Sequence, residues 1–245
     1  ALEEALSPPT FLCSLMAVNN ETGVAQPVEA AAHRCRERQV LFHCDAVQAA
    51  GRLPLPREAD LLSLSAHKLG GPAGVGVLWS RRGVDVAALT PGHQEDGRRG
   101  GTPSVPLAEA AALALTLALE EQATVEPRLR EVRDALEAAL QARLPGVQIH
   151  GLGERRVAGT SSVAFPGVDA EALLIALDLE GIHVSTGAAC ASGSLSPSHV
   201  LLAMGLTQAT ARATLRFSLG ASATHEEARV VVSALERLVP GCRAG

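Results

Sequence analysis

Three apolar runs, each closed by polar residues and separated by helical or turn-rich stretches, constrain the fold of this chain most tightly. They are TFLCSLMAV (residues 10–18), VLFHCDA (40–46) and LLSLSA (61–66). Each is too short for a stable helix, and each is nearly continuous in its apolar content rather than alternating. Such runs suit strands buried on both faces of a parallel sheet. A helix begins near Pro27, which the first turn tolerates, and GVGVLWS follows a Gly-Pro-Ala-Gly turn as a further strand. Strands alternating with helices predict an α/β domain with a largely parallel sheet. In such a sheet the polar residues just past the strand C-termini line the ligand crevice. Here those residues are NNETG after the first run, Asp45 and Gln48 after the second, and Ser65, His67 and Lys68 after the third.

The texture changes near Pro106. AEAAALALTLALEEQ reads as a long Ala/Leu helix and residues 126–144 as a second, amphipathic one. Short strands are expected at VQIHG, SSVAF and TLRFSLG. Helices are expected over 169–179, after SPSH, and from Thr224, where Glu227 completes capping-box spacing. The expected organisation is residues 1–122 as part of a large domain ending in a connecting helix, and 123–245 as a smaller α+β domain. The first region supplies only about four strands and two helices, a thin sheet for a doubly wound domain. The chain is therefore expected to begin partway through a domain.

A net charge of -5 gives no sign of a nucleic-acid-binding surface. No apolar run is long enough to span a bilayer, and no secretory signal is visible. The five cysteines, Cys13, Cys35, Cys44, Cys190 and Cys242, form an odd set without a CxxC pair. That pattern suits a reducing, cytoplasmic compartment and gives no zinc signature. Cys13, Cys35 and Cys44 fall in expected strands or a helix and read as core thiols.

Lys68 is the only lysine of the 245 residues, and every other Lys/Arg residue is arginine. Arginine replaces lysine wherever only a surface charge is needed, but not where the group must lose its proton and act as an amine. A retained lysine beside Ser65, His67 and a glycine-rich turn suits a Schiff base with a carbonyl compound. The other reading is an ordinary surface lysine. Asp45 could pair with a pyridinium nitrogen, as pyridoxal phosphate sites require, or cap the next helix. Arg216, by itself, reads as a strand residue paired with a nearby acid. Cys190, in STGAACASGSLSPS, reads by itself more readily as a packed thiol.

VNNETGVAQP, HCDAVQAAGRLPL, SAHKLGGPAGVGVLW, RRGGTPSVP, STGAACASGSLSPSHVLLAMGL and LRFSLG occur in this order. Together they resemble the cysteine desulfurases, pyridoxal 5'-phosphate (PLP) enzymes of the class V aminotransferase family, across nearly the whole chain. The resemblance implies PLP-dependent transferase fold type I, a partial large domain plus a small α+β domain. It implies removal of sulfur from L-cysteine to give L-alanine and a persulfide on Cys190, for iron–sulfur cluster or thio-cofactor assembly. Lys68, Cys190 and His67 would form the catalytic set, Lys68 as the Schiff-base lysine. Asp45 would hold the pyridine nitrogen, and Gln48 and Asn20 the phenolic oxygen. Ser65 and His67 would hold the phosphate, with Thr102 reaching it from the partner subunit of a homodimer. Arg216, with Asn20, would bind the substrate. A sulfur-acceptor or scaffold protein would be a partner. Selenocysteine lyase, cysteine-sulfinate desulfinase, an aminotransferase of the same fold, and a non-catalytic binding module are the alternatives. Pro91 and His93 stand where glycine is common in the family, and Ala188 where serine is frequent. The family's upstream phosphate loop and ring-stacking histidine find no counterpart in this sequence.

Overall fold

The computed structural model describes residues 2–7, 9–186 and 197–243. The chain divides into two compact units: Ala1–Val18 with Gln26–Ala123, and Asn19–Ala25 with Thr124–Gly245.

The first unit opens with a short helix, α1 (Leu2–Ala5), which the sequence reading did not foresee. It continues through β1 (Leu12–Met16), α2 (Val28–Glu37), β2 (Leu41–Asp45), β3 (Leu61–Ser65) and β4 (Gly76–Ser80). The sheet order is β1-β2-β3-β4. β1, β2 and β3 run parallel, and β4 returns antiparallel to β3. Side chains alternate across the sheet, so one face carries Cys13, Leu15, Phe42, Cys44 and Leu62. The other carries Ser14, Met16, His43, Asp45, Ser63 and Ser65. The first face is the core face: Phe42 and Cys44 are fully buried, as is Cys35 of α2, whose thiol lies against Cys13. Burial pushes the Cys44 thiol up to about 12. It does the same for Cys35, to about 11, with the neighbouring Cys13 adding to the effect. Both stay protonated at neutral pH, as core thiols do.

β1 is less buried than its apolar run suggested. Leu12 and Met16 are exposed, because β1 is an edge strand. Hydrophobic composition reports burial only on the faces that neighbouring elements cover.

The turn after β2 is closed by Gly51, whose φ of +68 lies in the left-handed region. A Cβ at Gly51 would stand 2.7 Å from the Cβ of Ala118. Gly51→Ala should therefore cost about 2 kcal/mol or more, combining left-handed strain with overpacking. Urea denaturation checks this; an unchanged midpoint would contradict it.

α3 (Val105–Arg143) is one helix of 39 residues, where the sequence reading expected two. Pro127 lies inside it. Proline lacks the N–H that would bond the carbonyl of Ala123, so the ladder misses a rung without the helix ending. The division between the two units falls at that same place, after Ala123.

The second unit holds the rest of α3, then β5 (Gln148–Ile149), β6 (Thr160–Ala164), α4 (Ala170–Leu179), β7 (Ser185–Thr186), α5 (His199–Ala203), α6 (Gln208–Arg212), β8 (Thr214–Ser218) and α7 (His225–Leu238). Its sheet has the order β5-β6-β8-β7 and is antiparallel throughout. β7 and α6 were not expected; β7 has only two residues, too few for a periodic signal. Leu136 and Leu140 of α3, Leu173 and Leu177 of α4, and Val232 and Leu235 of α7 form its core with Val163, Leu215 and the edge-to-face pair Phe165–Phe217. α7 starts with the expected capping box: Thr224 Oγ1 accepts from Glu227 N, and the Glu227 carboxylate accepts from Thr224 N. No helix among the described residues is long and apolar enough to cross a membrane.

Candidate active site

The first unit gathers five of the expected site residues at the C-terminal ends of β2 and β3. Because these strands are parallel, their ends lie on one edge of the sheet. Asp45 is the last residue of β2 and sits in register with Ser63. Ser65 projects from the same face one pleat further on, about 7 Å along the strand. Asp45 is half-buried, and its Oδ1 accepts from Val47 N at 3.0 Å. It thus stabilises a turn and not a helix, since no helix lies between β2 and β3, and among the described residues its second oxygen remains available as an acceptor. Gln48, on that turn, is half-buried.

A single 3-10 turn, Ala66–Lys68, follows β3 directly and carries His67 and Lys68 to the surface. Ser65 Oγ and His67 Nδ1 are 2.8 Å apart. With a neutral imidazole the pair holds two hydrogens and uses one between its members. One donor is left for a ligand, and two when the ring is protonated. Lys68 is exposed, and among the described residues no carboxylate forms an ion pair with it. Its amine is free to react. Thr102 is exposed and lies outside any helix or strand.

The donor set at these strand ends suits a phosphorylated pyridine aldehyde. Asp45 is an acceptor for a ring N–H, Gln48 a side-chain amide, Ser65 with His67 a donor pair for a phosphate, and Lys68 a primary amine for the aldehyde. No group of three or more His, Cys, Asp or Glu among the described residues is arranged to hold a metal ion.

Arg52 belongs to the same cluster and was absent from the sequence-based expectations. Its Nη1 donates to both the backbone oxygen of Gln48, at 3.2 Å, and Gln48 Oε1, at 2.8 Å. Its Nη2 reaches the backbone oxygen of Lys68 at 3.4 Å. The only available signal was its spacing, four residues after Gln48.

The second unit contains Asn20 and Arg216. The segment Asn19–Ala25 leaves β1 and packs in this unit. Asn19 Oδ1 accepts from the backbone N of Glu21 and of Thr22, winding the segment into a tight turn. Ala25 N donates to Arg155 O, and Val157 N to Gly23 O. Arg216, in the middle of β8, donates from Nη1 to Asn20 O at 3.0 Å. Among the described residues it forms no ion pair, so the expected pairing with a nearby acid is not realised there. Among the described residues its Nε is buried without a partner, and so is the hydroxyl of Ser162, which faces it in the β6–β8 register. Two unsatisfied buried groups side by side are costly in a finished core and suit a site that takes an acceptor. Ser198 donates to the buried carboxylate of Glu21 and caps α5 by accepting from Leu201 N. Cys190 lies outside the described residues, as does Ala188.

The profile of the family described as aminotransferase class-V matches residues 1–231. A cysteine desulfurase of Trichormus azollae is 41% identical over 251 aligned residues, covering 99% of this chain and 62% of the relative. The chain thus spans about three fifths of the length of this curated relative. Among solved structures, a NifS-like protein is 35% identical with a TM-score of 0.88, over 98% of this chain and 65% of that one. A NifS-like protein from Rickettsia africae is 30% identical with a TM-score of 0.89, over 97% and 65% of the respective chains. With the profile spanning nearly its whole length, this chain belongs to the aminotransferase class-V family.

Proposed function

We propose that this protein is a PLP-dependent cysteine desulfurase. The reading is carried by the grouping of Asp45, Gln48, Ser65, His67 and Lys68 at two adjacent parallel strand ends. The relative named cysteine desulfurase, 41% identical, supports it further. Bound PLP supplies an electron sink that makes the substrate's Cα–H acidic.

The residues of the chain do the rest. Lys68 anchors the cofactor through its amine and then carries the substrate's α-proton. Asp45 keeps a proton on the ring nitrogen, Gln48 donates to the ring oxygen, and Ser65 with His67 holds the phosphate. Arg216 takes the substrate carboxylate, its unsatisfied Nε being the free donor for it. Asn20, whose backbone oxygen holds the Arg216 guanidinium, keeps that donor aimed. The Cys190 thiolate attacks the substrate γ-sulfur: a new S–S bond forms and the substrate C–S bond breaks. The balance is L-cysteine and the Cys190 thiol giving L-alanine and the Cys190 persulfide, a reversible sulfur state of an accessible thiolate. The sulfur then passes to an acceptor or scaffold protein for iron–sulfur or thio-cofactor assembly. The reading includes a cytoplasmic homodimer, with Thr102 reaching the phosphate bound by the other subunit.

Cys190→Ala tests the nucleophile. Alanine formation from cysteine should fall by about 100-fold or more while the visible absorption of the bound cofactor persists. Undiminished alanine formation would remove Cys190 from the mechanism and favour an aminotransferase.

A further inference from the structure

The orientation of the Gln48 side-chain amide is decided by its surroundings. A guanidinium has five N–H donors and no acceptor, so the atom of Gln48 that meets Arg52 at 2.8 Å is its oxygen. The amide nitrogen must then point away from Arg52. The two hydrogens of Arg52 Nη1 are both used, one on Gln48 Oε1 and one on the Gln48 backbone oxygen. Nη2 extends the same cation to the backbone oxygen of Lys68, on the turn after the neighbouring strand. One guanidinium thus bridges the turns after β2 and β3. A lysine ammonium, a point charge without the planar fork, would not reproduce three contacts of this geometry.

We infer that Arg52 is a positioning residue that turns Gln48 into an obligate hydrogen-bond donor and holds it in register with Lys68. The amide offers the ligand only N–H groups, polarised by the cation behind its oxygen. The site it faces is therefore built for an oxygen acceptor carrying negative charge, and it discriminates against a donor at that point. This rests on the proposed function, in which that acceptor is the ring oxygen of PLP. The left-handed Gly51 lies directly before Arg52, on the turn that brings the guanidinium back over Gln48.

The test has two arms. In the cofactor-free, nitrogen-15-labelled protein, the Gln48 side-chain NH2 signal is assigned by its loss in Gln48→Leu. Arg52→Met should shift or broaden that signal, and Arg52→Lys should do so only in part. In the second arm PLP is titrated and its dissociation constant measured. Arg52→Met should weaken binding about tenfold, as loss of a charge-assisted hydrogen bond implies. Gln48→Leu should weaken it about equally, and the double variant should be no worse than either single one. Gln48→Glu keeps a partner for Arg52 but presents an oxygen to the ligand, and should also weaken binding. The inference is overturned if Arg52→Met leaves the amide signal and PLP affinity unchanged. It is equally overturned if the two single losses multiply in the double variant, since Arg52 would then act independently of Gln48. A parent protein that binds no PLP would count against the proposed function, while the amide signal would still decide the role of Arg52.

Discussion

Lys68→Arg should abolish PLP attachment and lower alanine formation by at least about 1,000-fold, with little change in stability. The substitution preserves charge and approximate length, so only the chemistry of the group is altered. A guanidinium keeps its proton at any working pH and cannot serve as the amine that bonds an aldehyde or takes up an α-proton. Loss of a general base alone costs about 100- to 10,000-fold. Because the Lys68 side chain is exposed and without a carboxylate partner among the described residues, folding should change by no more than about 0.5 kcal/mol. Borohydride reduction of the PLP-loaded protein, followed by mass spectrometry, reads attachment directly. A labelled lysine peptide in the parent and none in the variant is the expected pair of results. Substantial turnover by the arginine variant would show that the sole lysine is a surface residue after all.

Arg156→Ala should destabilise the second unit by about 3–5 kcal/mol, enough to lower the melting temperature by roughly 10 °C. Arg156 and Glu137 are both buried, with side chains 4% exposed. They form two parallel bonds of 2.7 and 2.8 Å, and Glu137 Oε1 also accepts from Ser161 Oγ at 2.7 Å. Removing the cation leaves Glu137 without its partner in a site that water does not reach. Replacing both residues together, as Arg156→Met with Glu137→Leu, should recover most of the loss, because a buried pair adds little net stability over apolar side chains. Equal destabilisation in the single and double variants would contradict this. The pair also bears on the site. Arg155 and Val157, its chain neighbours, hold Ala25 and Gly23, and Asn20 lies on that same segment. Arg156→Ala should therefore weaken cysteine binding as well as folding.

Much of the local structure was legible in the sequence. β2, β3, α4 and α7 form where apolar runs and capping residues indicated, because these signals act within a few residues. Asp169 caps α4 and Thr224 caps α7 through contacts no more than three residues away. Two helices were read where α3 is one, since proline signals a missing hydrogen bond and not necessarily a chain break. β1 was read as buried because its residues are apolar; its edge position is a property of the sheet. Arg52 was passed over because one arginine among twenty carries no mark of its own.

The sequence by itself determined the alternation of strands and helices, the position of the sole lysine, and the order of motifs that carry the family resemblance. These depend on residue type and short spacing, which the chain states directly. Tertiary structure decided which groups are spent and which remain available. Asn19–Ala25 packs with the second unit, the Gln48 side-chain oxygen accepts from Arg52, and Glu137 finds Arg156. Arg216 bonds the carbonyl of Asn20, and among the described residues its Nε keeps no partner. Most of these outcomes join groups distant in sequence. All depend on which donor reaches which acceptor once the chain has packed, and periodicity does not encode that.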